Sequence, residues 1–211
     1  MKKHVNKICS EGYLKLRNLW HIGSKLAVDI KKQLVHSCIL SRIDYCNSLL
    51  FGASNCDIAK LQRLMNAAVC FIYNLRGKRR KYSITPFLKK LHFLPVKYRI
   101  TYKIALFVFK CLNGLSPDYL SQLICLRTPL KPLDNVLADT DIQTMQARPL
   151  NDFFLLKHPP LERIEYKQHR FTYAAPEVWN KLPYSIRTLS SLELFKRHLK
   201  THLFQDFCRD L

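Results

Sequence analysis

Pro95-Val-Lys-Tyr-Arg-Ile-Thr-Tyr-Lys-Ile-Ala-Leu-Phe-Val-Phe-Lys-Cys-Leu-Asn-Gly114 opens on a proline and closes on Asn-Gly, the punctuation of one helix. At about 100° per residue, Val96, Ile100, Ile104, Phe107 and Cys111 gather on one face, and Tyr98, Tyr102, Ala105 and Phe109 gather roughly opposite. Arg99, Lys103 and Lys110 run between them. A helix apolar on two sides belongs in the middle of a bundle, with its basic stripe at a seam or groove. Core packing is the reading for Tyr98, Tyr102 and Phe109.

Upstream, Thr85-Pro86 starts a short helix to about Leu91. Before it, Asn55 or Asp57 caps a helix in which Ile58, Leu61, Met65, Ala68, Ile72 and Leu75 share one face, stopped by Arg76-Gly77. Earlier still, Ser24 caps a long helix with Leu26, Ile30, Leu34, Cys38 and Ile39 on one stripe, continuing through Leu49 and Leu50 to Gly52. The first helix spans about residues 3 to 21 and ends at Gly23.

Downstream, Ser116-Pro117 opens a short helix to about Cys125. Prolines 129, 132, 149, 159 and 160 then break any helical period, which leaves loop with room for strands at Phe153–Leu156 and Leu161–Tyr166. Pro176 to Leu182 reads as a short helix ended by Pro183, and Ser190-Ser-Leu-Glu193 as a capping box before the last helix. The expected fold class is mainly α: a basic helical bundle over residues 1–125, a loop-rich middle over 126–168 that has room for a short β-hairpin, and C-terminal helices over 169–211. With 48% hydrophobic residues the chain has material for a packed core.

The charge is uneven. From residue 58 to 117 no carboxylate occurs, and the same sixty residues carry thirteen Lys and Arg of a net charge of +20. A field of that size calls for a polyanion, with nucleic acid first and an anionic membrane surface second. The loop Arg76, Lys78, Arg79, Arg80 and Lys81 is the strongest contact candidate, because consecutive cations repel one another until an anion relieves them. Lys89, Lys90, Lys97, Arg99 and Lys103 complete the candidate phosphate-binding set, with Tyr82, His92 and Phe93 available to pack on sugar or base.

Catalytic chemistry finds no support. Two-metal polymerases and nucleases need closely placed carboxylates, and the Asp139/Asp141 spacing in a Pro-flanked polar stretch reads as solvated loop. His198 and His202 have zinc spacing, but Leu199 stands where the metalloprotease pattern needs Glu, so surface histidines are the reading. No G-x-S-x-G occurs, and five glycines supply no phosphate-cradling loop. No cofactor and no metal are expected. Eight scattered cysteines without CxxC spacing read as reduced core residues of an intracellular protein. Neither a secretory signal nor a membrane span is legible, so no membrane is expected as a partner; Arg76 with Lys78–Lys81 has the composition of a nuclear import signal.

Six strings stand in order: Leu40-Ser-Arg-Ile-Asp-Tyr-Cys-Asn-Ser-Leu-Leu50, Leu61-Gln-Arg-Leu-Met-Asn-Ala-Ala68, Leu91-His-Phe-Leu-Pro-Val-Lys-Tyr-Arg-Ile100, Lys110-Cys-Leu-Asn-Gly-Leu-Ser-Pro-Asp-Tyr-Leu120, Ala174-Ala-Pro-Glu-Val-Trp-Asn-Lys-Leu-Pro183, and Ser191 to Phe204. Together they resemble the C-terminal, post-palm segment of jockey-like, LINE-type non-LTR retrotransposon reverse transcriptases. The resemblance runs from about residue 3 to 207. It departs from the family pattern at Lys167-Gln-His-Arg-Phe-Thr-Tyr173 and in a longer polar stretch from Asp134 to Arg148. What it implies is a thumb-like bundle beside an RNA and DNA template-primer duplex, with a palm-bearing reverse transcriptase as a further partner. It does not imply polymerase activity, because the Phe/Tyr-Ala-Asp-Asp turn of such palms has no counterpart here. The expected function is non-catalytic gripping of the duplex backbone. The alternative is a helical interaction module that docks on a separate palm or self-associates, recognisable by exposed apolar surface on the first two helices.

Overall fold

A computed structural model describes residues 1–23, 25–75, 83–127, 154–159 and 171–210. The chain is mainly helical, with a loop-rich middle and C-terminal helices, and no strand occurs among the described residues. It divides into two compact units, Met1–Lys103 with Lys200–Leu211, and Ile104–Leu199.

In the first unit, α1 (Lys2–Gly23) packs along α4 (Asn55–Ile72), burying Val5, Ile8 and Leu16 against a face that includes Leu61, Leu64, Met65, Ala68 and Phe71. Two glycines permit the close approach. A Cβ on Gly12 would lie 2.5 Å from Leu64 Cδ2, and one on Gly23 would lie 2.4 Å from Cε2 of the fully buried Phe71 ring. Gly23 is thus the last residue of α1 and also the point where its backbone passes over an aromatic ring.

The long second helix expected from the apolar period is shorter and interrupted. It begins as α2 (Val28–Val35), widens into a π-type turn at His36–Leu40, resumes as α3 (Ser41–Asp44), and stops. Ser37 Oγ donates to Gln33 O at 3.0 Å and to Leu34 O at 3.3 Å, and Ser41 Oγ donates to Ser37 O. Hydroxyls bonded to carbonyls one turn back compete with the helical ladder and loosen it. Past Asp44, Cys46 takes the left-handed conformation (φ 50°) and a 3-10 turn follows at Asn47–Leu50. The expected stripe is also displaced: Ile30 is 47% exposed, whereas Lys31, Val35, Ile39, Leu40 and Ile43 face the core. A lysine in the buried row hid the true face. Lys31 Nζ donates to Asn74 Oδ1 at 2.8 Å and lies 5.8 Å from the centroid of the Phe71 ring, so its stem packs as an apolar chain while its charge is partly compensated.

Ser54, not Asn55 or Asp57, caps α4, with its Oγ accepting from Asp57 N at 3.2 Å. The helix ends at Ile72, short of Leu75, because Asn74 adopts a left-handed conformation (φ 55°) and Leu75 N returns to Cys70 O at 2.9 Å. His92 (φ 54°) closes α5 (Thr85–Leu91) and Gly114 (φ 67°) closes α6 (Val96–Leu112) by the same six-to-one bond. Gln62 Oε1 accepts from Val96 N at 2.9 Å, which ties the start of α6 to α4. Only Lys97 is exposed between Val96 and Leu112. Val108 is fully buried, which the two-face assignment omitted, while Phe107 is only half-buried.

The second unit contains α7 (Asp118–Ser121), α8 (Phe171–Trp179) and α9 (Tyr184–Arg187), and α10 (Leu192–Arg209) begins in it. α8 starts five residues before Pro176 and carries that proline inside, correcting the expectation that Pro176 begins the helix. Its buried Ala174, Ala175, Val178 and Trp179 supply the reason, since apolar burial holds the turn that proline weakens. Phe109 stacks on Phe195 at 4.2 Å, and Trp179 lies 5.9 Å from Phe195. The Trp-Asn pair also grips backbone: Trp179 Nε1 donates to Phe154 O at 2.8 Å, and the Asn180 amide accepts from Leu156 N at 2.8 Å and donates to Leu156 O at 3.0 Å. The strand expected at Phe153–Leu156 reduces to a single antiparallel bridge between Leu126 and Leu156. The strand expected at Leu161–Tyr166 lies outside the described residues, as does the helix cap expected at Ser24.

Candidate nucleic-acid interface

Unit composition sharpens the charge argument. The first unit carries twenty-three Lys and Arg against six Asp and Glu, and the second carries twelve against nine. The excess therefore falls in one compact body, which holds twelve of the thirteen cations of the acid-free window.

Within that body the expected contact residues divide into three groups. Arg76, Lys78, Arg79, Arg80 and Lys81, with Tyr82, lie outside the described residues. Lys89 and Lys90, in the last turn of α5, and Lys97, in the first turn of α6, are exposed and make no hydrogen bond or ion pair. Lys90 Nζ stands 6.0 Å from the Tyr73 ring centroid and Lys97 Nζ 6.0 Å from that of Tyr98, positions that leave each ammonium accessible beside a π face. Arg99 and Lys103 are half-buried. Arg99 is committed to Asp44, with Nε 2.7 Å from Oδ1 and one terminal nitrogen on Oδ2, and Asn47 Nδ2 supports the same carboxylate at 3.4 Å. Lys60, another cation of the acid-free window, serves the fold as well, bonding Asp57 at 3.3 Å and Asn6 at 3.0 Å.

The expected aromatic partners are differently disposed. Phe93 is only 6% exposed and belongs to the core, because the left-handed turn at His92 points the chain back onto α5. His92 remains exposed, edge-on to Phe204 at 5.9 Å. Tyr98 is half-buried beside Phe207 and donates its hydroxyl to Asp210; burial first and that carboxylate second push the phenol well above the usual tyrosine range. These contacts hold the last turns of α10 on the start of α6.

Two cations escaped the sequence reading. Lys32 on α2 and Lys200 on α10 lie far outside the acid-free window, yet both belong to the basic unit and neither makes a hydrogen bond or ion pair. Partial burial, then Arg99 and Lys32, hold the Lys200 ammonium below the ordinary lysine range. No linear signal marks this influence, because residues 32, 99 and 200 are far apart along the chain.

His202 Nε2 lies 3.3 Å from Asp206 within its own helix. Among the described residues no group of three or more His, Cys, Asp or Glu is placed to hold a metal ion, and no helix is long and apolar enough to cross a membrane. The eight cysteines are free thiols, but Cys46, Cys56, Cys125 and Cys208 are exposed and only Cys70 and Cys111 are buried, correcting the expectation of core residues. No family model matches the chain, and no significantly similar curated protein or solved structure is found.

Proposed function

We propose that this protein is a non-catalytic nucleic-acid-binding segment of reverse-transcriptase type, whose basic helical unit lies along the phosphate backbone of a template-primer duplex. The observation that carries the reading is the concentration of charge: twenty-three basic against six acidic side chains in one unit, with Lys89, Lys90 and Lys97 exposed and unpaired. Backbone contacts of this kind bring affinity without base specificity. The six ordered strings supply the duplex as ligand, and the missing Asp-Asp turn removes nucleotide addition from the proposal.

Binding to an RNA–DNA hybrid tests it. If six to eight phosphates are neutralised, affinity falls by about three to four decades between 50 and 200 mM salt. Lys89→Ala, Lys90→Ala and Lys97→Ala are each expected to weaken binding to all sequences alike and to reduce the salt slope by about one. Affinity indifferent to salt would sink the reading.

A second reading has its own observation. Tyr13, Leu14 and Ile22 on α1, and Val28 and Ile30 on α2, are between 40% and 57% exposed. Exposed apolar side chains on the first two helices are what a protein-docking module, on a separate palm or on itself, would present. Sedimentation separates self-association from the monomer: a concentration-dependent shift abolished by Leu14→Ser with Ile22→Ser supports it, and a monomer at all concentrations removes self-docking.

A further inference from the structure

Phe154 takes a left-handed backbone conformation (φ 60°), which bulky L-residues rarely adopt. Two side chains of the same unit hold that backbone in place: Trp179 Nε1 donates to Phe154 O at 2.8 Å, and the Asn180 amide bonds both backbone polar groups of Leu156. Trp179 is itself 1% exposed, so the anchor is part of the core. Residues two apart on extended backbone share a face, and Leu156 is buried, so an extended Phe154 would follow it inward. The left-handed turn breaks that register, and the ring is 52% exposed. Strain of this kind persists where the surroundings over-determine it, and it clusters at functional sites.

Two exposed cations stand on the adjoining backbone. Arg127 N donates to Leu155 O at 2.7 Å and Lys157 N donates to Cys125 O at 2.9 Å, on either side of the Leu126–Leu156 bridge. Arg127 therefore lies across from the neighbour of Phe154, and Lys157 lies on the diagonal, about 7–8 Å from it by antiparallel ladder geometry. Neither side chain makes a hydrogen bond or ion pair among the described residues.

We infer that Phe154, Arg127 and Lys157 form a site for an unpaired nucleic-acid strand, with a base stacked on the ring and neighbouring phosphates on the two cations. The inference rests on the nucleic-acid reading and assigns to the second unit a single strand where the first takes the duplex. An exposed ring flanked by unspent cations fits a ligand that offers both a π face and an anionic backbone. A duplex offers only the second, because its bases are stacked on one another. Every base has a π face, so little sequence preference is expected.

The test measures binding of the full chain to an unstructured oligothymidylate and to a blunt RNA–DNA hybrid. Phe154→Asn removes the ring and keeps the backbone, because asparagine tolerates the left-handed region. It is expected to melt no lower than the wild type, to bind the single strand about five- to hundredfold more weakly, and to bind the hybrid unchanged. Phe154→Tyr should retain single-strand affinity. Arg127→Gln/Lys157→Gln is expected to lower the salt slope on the single strand by about 1.4 and to leave that on the hybrid as it was. Wild-type single-strand affinity in Phe154→Asn overturns the inference and leaves the nucleic-acid reading, which hybrid binding tests, standing. Equal losses on both ligands, or a lowered melting temperature, overturn it too, since the ring then acts in another contact or in the fold. Absence of binding to either ligand by the unaltered chain removes the nucleic-acid reading and this site with it.

Discussion

Lys200 and Lys31 show two fates of a lysine on a core-forming helix. Lys31 buries its whole stem and satisfies its ammonium on Asn74 and the face of Phe71. Lys200 has no such partner, and partial burial with Arg99 and Lys32 nearby lowers its proton affinity. A lysine whose folded-state pKa lies below its unfolded value penalises the fold fully while both states are protonated, and the penalty lifts as pH rises through the folded-state pKa toward the unfolded one. Lys200→Gln is therefore expected to raise stability at neutral pH, by at most about 0.5 kcal/mol at so exposed a position. That gain should shrink above about pH 10, where the unfolded lysine also loses its proton. Thermal melts at both pH values check it; a destabilised variant at neutral pH would mean that the ammonium has a favourable partner. Charge alone, as read along the chain, counted Lys60 and Arg99 with the free cations, whereas each is paired to a carboxylate that flanks the acid-free window.

Helix boundaries were legible where proline or glycine marks them and hidden where tertiary contacts do. Pro86, Pro95 and Gly114 were read at their places, while Asn74 and His92 end helices in left-handed turns without glycine, and serine back-bonding opens the π-type turn. Gly23 was read as a helix stop, and its stronger constraint is distance to Phe71. Gly23→Ala should therefore cost about 1–3 kcal/mol by overpacking a filled core, although alanine is intrinsically the better helix former by about 1 kcal/mol. Urea unfolding measures the balance, and a stabilised variant would show that the Phe71 ring yields. In the second unit, Asn180 pairs with both polar groups of the Leu156 backbone, which is 1% exposed. Asn180→Ala leaves that donor and acceptor unsatisfied and is expected to cost about 2–3 kcal/mol; Asn180→Asp, which keeps only the acceptor, should fall between. Equal stability of all three proteins would mean that the clasp contributes nothing.

The whole molecule places its cysteines and its charge by packing rather than by order. Thiol labelling at neutral pH should modify Cys46, Cys56, Cys125 and Cys208 quickly, and Cys70 and Cys111 only after unfolding. Cys9 should lag, because burial pushes its thiol up more strongly than Lys60 and Arg63 pull it down. Intact-mass counts over time check both expectations, and early loss of protection at Cys70 would contradict the buried α1–α4 contact. From residue types and period alone follow the mainly α class, the helices bounded by proline and glycine, and a large basic excess. Periodicity and punctuation are local properties of a chain, so they need no knowledge of its neighbours. Tertiary structure alone decided that Arg99 is spent on Asp44 and which row of the second helix faces inward. Those outcomes depend on contacts between residues tens of positions apart, such as Arg99 with Asp44 and Lys31 with Asn74, and only packing determines them.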